Sequence, residues 1–257
     1  MNPGTHRRRL RRTRRLLGLA ARTLAVTTLG AALFTACQPD GLPIGHPHPG
    51  PTAPTPAGMG TPAAGTALRA LAALPQHPAA ATAGYSRAQF GQAWADVDRN
   101  GCDTRNDMLS RDLSSRIYRS GTHDCVVIAG TLADPYTGRT LTFRKATAGA
   151  VQIDHVVAIG QAWRTGAAQL SAAQRLQLAN DPLELLAVDG PTNESKGDKD
   201  ASAWLPPNNA YRCPYAARQV AVKAKYRLWT TPAEHAALQR VLSGCPTQAL
   251  PDPSTPR

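Results

Sequence analysis

Asp154 and His155 stand side by side, and Asn193 follows further along the chain. These three side-chain types can carry out metal-assisted hydrolysis of a phosphodiester. The reaction needs an activated water and relief of negative charge on the phosphate. A neutral imidazole accepts the proton from water near pH 7. A divalent cation held by a carboxylate and an amide oxygen neutralises the leaving oxygen.

These groups must be positioned by the elements around them. Residues 151–155 read as a short strand, along which successive side chains point to opposite faces. Asp154 and His155 therefore serve one site only if the chain bends just after them, at a strand-to-helix junction. Asn193 would offer its oxygen from a turn and short helix over residues 191–199, facing the strands. Residues 183–188 read as another strand, and residues 156–168 and 171–178 as helices. Upstream, residues 86–94 and 104–118 are expected to be helical. Strands at 126–132 and 140–143 flank the turn Asp134-Pro135-Tyr136-Thr137-Gly138, a β-hairpin pattern. Downstream, residues 214–228 and 232–242 read as helices, each opened by a proline.

Charge at first points to nucleic acid, because the 257-residue chain carries a formal net charge of +12. Eight arginines within residues 1–37 account for most of it, and the remainder carries 12 − 8 = +4. Residues 1–37 read as an export signal, a basic run followed by an apolar stretch too short to span a bilayer. Thr13-Arg14-Arg15-Leu16-Leu17 is similar to a twin-arginine signal. Leu33-Phe34-Thr35-Ala36-Cys37 is similar to a lipobox, which would make Cys37 a lipidation site; an ordinary signal peptide cut near Ala36 is the alternative. The expected location is thus outside the cell, either secreted or as a surface lipoprotein. Membrane contact would come only through Cys37, and no protein partner is expected. Residues 38–84 are rich in Pro, Gly, Ala and Thr and are expected to form a linker, with the folded domain at 85–245 and a flexible tail at 246–257.

Four further cysteines suit two disulfides in an exported chain. Of the three possible pairings, Cys102–Cys125 and Cys213–Cys245 are favoured, since each lies within one segment. No Cys or His spacing suits zinc. Local charge is more informative than total charge. Residues 190–230 hold seven Lys or Arg against three acids, 7 − 3 = +4. Lys196, Lys199, Lys223 and Lys225 in this stretch are candidates for following a phosphate backbone.

The blocks around Asp154 occur in a recognisable order. Asp154-His155-Val156-Val157 is followed by Leu185-Leu186-Ala187-Val188 and Thr192-Asn193-Glu194-Ser195-Lys196-Gly197-Asp198-Lys199. Asn100-Gly101-Cys102-Asp103-Thr104-Arg105-Asn106-Asp107 precedes them, and Tyr211-Arg212-Cys213-Pro214-Tyr215 closes the series. Together they resemble the HNH nuclease family, and more closely the exported relatives of the C-terminal domain of GmrSD-type restriction enzymes. The resemblance covers residues 85–245. It implies an α+β fold with a ββα-metal (His-Me finger) motif inside a larger disulfide-containing domain. It also implies His155 as general base, Asp154 and Asn193 as ligands of one metal, expected to be Mg²⁺, and Lys196 as a phosphate contact. Glu184 stands where the family has an Asn that braces the loop carrying the base. The implied activity is cleavage of DNA, with RNA as a second substrate, at low sequence specificity. A non-catalytic, surface-anchored nucleic-acid-binding protein on a degenerate nuclease scaffold is the alternative that Glu184 keeps open.

Overall fold

The structure is a computed structural model and describes residues 65–251. The export signal and Cys37 lie outside the described residues. No helix among the described residues is long and apolar enough to cross a membrane.

Helix α1 (Ala67–Ala72) opens the described chain, with Thr66 capping its N-terminus by accepting from Arg69 N. Ala67 and Leu71 are buried in one core cluster with Ala216, Ala217 and Val220 of helix α6 (Arg212–Lys225) and Leu238 and Leu242 of helix α7 (Pro232–Ser243). The folded body therefore starts well before Tyr85, inside the stretch expected to be linker. Its end also differs from the expectation. Ala67 N bonds Gln248 O at 2.8 Å, Thr66 bridges to Ala249, and Leu250 packs on the core, so the first part of the expected tail is held.

The helix expected over 86–94 shrinks to a single 3₁₀ turn, Arg87–Phe90. The helix expected over 104–118 stops sooner: α2 spans Thr104–Asp112, and β1 (Leu113–Tyr118) follows directly. Asp103 caps α2 by accepting from Asn106 N. At the other end Arg116 donates to the carbonyls of Ser110 and Leu113, both at 2.8 Å, and occupies acceptors left open where the helix gives way to strand.

β1 pairs antiparallel with β2 (Val127–Ala133), which pairs with β3 (Thr140–Arg144) in the expected hairpin. The second sheet has two strands, β4 (Val151–His155) and β5 (Leu185–Asp189), antiparallel with Val151 opposite Asp189 and His155 opposite Leu185. Helices α3 (Ile159–Arg164) and α4 (Ala172–Ala179) lie between these strands in sequence. Helix α5 (Gly190–Lys196) follows β5 without a break. Leu185 and Ala187 of β5 face a core shared with Val151, Phe143 and Leu109, whereas Leu186 and Val188 face Tyr136 and Tyr215. Both faces of the small sheet are thus covered, and β5 is buried throughout. The disulfides are Cys102–Cys125 and Cys213–Cys245, the favoured pairing.

Candidate functional site

The site is built on β4, β5 and α5. Asp189 ends β5 and caps α5, accepting from Thr192 N at 3.0 Å, and Pro191 occupies the first turn. A Cβ at residue 190 would stand 2.0 Å from Gly149 O, so glycine alone lets the strand turn into the helix so tightly. Gln152 and Asp154 are two apart on β4 and share a face, while Asn193 and Lys196 are three apart on α5 and share a side. The two pairs meet. Asn193 Nδ2 donates to Gln152 Oε1 at 2.9 Å, and Lys196 Nζ donates to Asp154 Oδ1 at 2.9 Å. Lys196 also donates to His155 O at 2.7 Å. The second Asp154 oxygen, Oδ2, accepts from the Tyr136 hydroxyl at 2.5 Å. Burial pushes the Asp154 carboxyl above the usual range, while the Lys196 ammonium and the Tyr136 hydroxyl oppose that shift.

His155 is half-buried and faces away from this network. Its Nε2 lies 2.9 Å from Ala179 O at the end of α4. A carbonyl can only accept, so Nε2 carries the hydrogen and Nδ1 keeps the lone pair. Burial lowers the His155 pKa to about 4, so the ring is neutral at physiological pH. The chain bends after His155, as the site requires, and Asp154 and His155 line one cleft of about 300 Å³ with Asn193, Asp198 and Arg87. Asp198 closes against the start of α3, where a Cβ on Gly160 would lie 2.7 Å from its Oδ2.

Glu184 precedes β5 and is fully buried. Its Oε2 accepts from Val157 N at 3.2 Å, and its own carbonyl accepts from Val156 N at 2.9 Å. Glu184 thus ties down the turn that follows His155. Burial pushes its carboxyl well above the usual range, and its Oε1 has no partner.

The basic stretch 190–230 differs from its expected role. Lys196 and Lys223 are fully buried, which removes both from contact with a nucleic-acid strand. Lys223 pairs with Glu234 at 3.0 Å, between α6 and α7. Lys225 pairs with Asp181 at 2.6 Å, and Arg218 donates to Leu183 O. Lys199 is exposed and bonds Ser195 O at 2.5 Å. Most of the local charge excess is therefore taken up by contacts within the fold. Two residues near His155 carried no motif in the sequence. Arg87 is an exposed cation on the wall of the cleft, and Trp94, outside that cleft, stacks beside His155.

The chain matches the family described as GmrSD restriction endonucleases, C-terminal domain, over residues 103–241. It is also similar to a protein of Arthroderma benhamiae described as an uncharacterized secreted protein. The two are 36% identical over 195 residues, which is 75% of this chain and 91% of the other. No solved structure matches it.

Proposed function

Because this chain belongs to the family of GmrSD restriction endonuclease C-terminal domains, we propose that it is an exported metal-dependent endonuclease that hydrolyses DNA phosphodiesters with low sequence specificity. The observation that carries the reading is the fixed tautomer of His155. Its Nε2 is committed to Ala179 O, so Nδ1 is a neutral base on a cleft shared with Asp154 and Asn193. In this reading β4, β5 and α5 form the ββα-metal motif. Export rests on the signal-like residues 1–37 and on the secreted relative.

Among the described residues no group of three or more His, Cys, Asp or Glu is arranged to hold a metal ion. Asp154 and Asn193 nonetheless suit Mg²⁺, which binds through one or two carboxylates and keeps waters and substrate oxygens as its other ligands. Asn193 has its Nδ2 engaged by Gln152, leaving Oδ1 as the available donor atom. Each Asp154 oxygen accepts one side-chain hydrogen bond, from Tyr136 or from Lys196, and retains a second lone pair. When bound there, the ion would supply charge neutralisation at the leaving oxygen. His155 Nδ1 takes the proton from the attacking water. Lys196 is a positioning residue, holding the Asp154 carboxylate and the His155 carbonyl from one ammonium. Arg87, on the open side of the cleft, is placed to meet the phosphate. Glu184 braces the turn after the base through Val157 N, a bond that a carboxyl oxygen and the family's Asn can both accept. This favours the catalytic reading over a degenerate scaffold.

The test is cleavage of plasmid DNA by purified protein with Mg²⁺. His155→Ala is expected to lower the rate by 10²-fold or more, and EDTA to abolish it. Intact plasmid with the wild-type protein, accompanied by a gel shift, would move the assignment to the binding-protein alternative. Unchanged cleavage by His155→Ala would show that another group is the base.

A further inference from the structure

His155 also walls a second cleft, of about 310 Å³, shared with Phe90, Trp94, Ile159, Ala179 and Asn180. Three features of this cleft are independent of the hydrolytic geometry. The Trp94 ring lies within 22° of parallel to the imidazole, with centroids 6.3 Å apart. The Trp94 backbone sits at φ +58, a conformation that bulky side chains rarely adopt and that tends to occur at functional sites. Asn180, 1% exposed, has its Nδ2 engaged by Leu176 O and its Oδ1 without any partner.

We infer that this cleft is a nucleobase subsite, with Trp94 as the stacking surface and Asn180 Oδ1 as the acceptor for a base N–H. This rests on the proposed nuclease function and specifies how that site holds its substrate. The wall is mainly apolar, with Phe90, Trp94, Ile159 and Ala179 beside the polar Arg87, Gln92 and Asn180, which suits the flat face and polar edge of a base. Every base has such a face, so stacking on Trp94 adds affinity without reading sequence. Each base also carries an N–H donor on an edge, which is what the orphaned Asn180 oxygen lacks. His155 borders both clefts, so a base seated here belongs to the nucleotide next to the phosphate under attack. Arg87 lines both clefts as well and lies between the base and phosphate positions.

The test measures binding of deoxyadenosine 5′-monophosphate against deoxyribose 5-phosphate by calorimetry. Neither contains a diester, so binding is read without turnover. The wild-type protein is expected to bind the nucleotide about ten-fold more tightly than the sugar phosphate, in line with one stacked base. Trp94→Leu is expected to remove that difference and Trp94→Phe to keep most of it. Equal affinity for the two ligands in the wild type, no measurable binding of the nucleotide, or a difference that survives Trp94→Leu would each overturn the subsite. The wild-type comparison decides the matter even if Trp94→Leu fails to fold. A protein that cuts DNA yet binds both ligands equally loses the subsite and keeps the nuclease reading. Base-dependent binding without any cleavage does the reverse.

Discussion

Glu184 places a carboxyl group in the interior with one backbone amide for a partner and no cation bonded to it. Burial raises its pKa well above the ordinary 4.5, so the folded chain holds the proton after the unfolded chain has released it. The unfolded state gains free energy from that release. Stability from this residue is therefore greatest below pH 4.5 and falls as pH rises toward the folded-state value. Glu184→Gln removes the titration and keeps an oxygen for Val157 N. We expect the variant to melt at higher temperature than wild type at pH 7 and above, with the gap shrinking toward pH 4. Each kcal/mol recovered raises Tm by about 2–4 °C, which a calorimetric pH series would resolve. A gap that does not change with pH would mean that Glu184 is ionised in the folded protein. His155 shows the opposite sign of shift from the same cause, since burial disfavours the charged form of either group.

Between elements, the Asp154–Lys196 ion pair fastens β4 to α5 alongside the bonds of Gln152 to Asn193 and Glu194. It is almost fully buried, with side-chain exposures of 6% and 1%. Removing one partner leaves the other charge buried and uncompensated, which costs about 3–5 kcal/mol. Asp154→Asn and Lys196→Met are each expected to approach that loss in urea denaturation, and the double variant to lose less than their sum. Strict additivity would show that the two groups do not act as a pair. Much of this level was legible in the sequence. Alternation at 151–155, the turn at 134–138 and the proline start of α7 all report local physics, whereas α6 begins at Arg212, two residues ahead of its proline. The boundary between α2 and β1 was not. Leu109 and Leu113 keep helical spacing across it, and the chain leaves the helix because of distant partners. Arg111 donates to Pro182 O and Leu185 O, and Asp112 accepts from Ala187 N. The burial of Lys196 and Lys223 was hidden for a related reason, since Asp154 lies 42 residues from Lys196 and Glu234 stands on a different helix from Lys223, so only the fold brings each pair together.

For the molecule as a whole, the two disulfides close separate loops, one before the β4–β5 sheet in sequence and one after it. Cys102–Cys125 spans 23 residues and ties the start of α2 to the approach to β2, while Cys213–Cys245 spans 32 and ties α6 to the residues after α7. Loop-closure entropy gives about 3.5 kcal/mol for each. Cys213→Ser with Cys245→Ser should therefore lower unfolding stability by about that much. A loss under 1 kcal/mol would mean that packing of α1, α6 and α7 already fixes this region. The extent of the folded body was harder to read than its staples. Residues 65–84 look like a tether by composition, yet Leu71 and Leu74 find a core because α6 and α7 offer a groove for small helices. An alanine-rich stretch gives little apolar contrast, and its fate depends on partners far along the chain.

The β4–β5 pairing is a hairpin interrupted by a 29-residue excursion, from Val156 to Glu184. Antiparallel register depends on the strands and on the Glu184 tie, not on the path taken between them. The excursion is thus a natural port for added sequence, and its exposed Ala168–Gln169 segment is where an insertion would disturb least. One constraint travels with that freedom. The carbonyl that sets the His155 tautomer belongs to Ala179, at the far end of the excursion. A graft that shifted α4 by a single turn would leave the strands paired and the fold intact, yet deprive the imidazole of the partner that orients it. The scaffold and the reactivity of its histidine can therefore diverge independently, with the switch lying 24 residues from the histidine it governs.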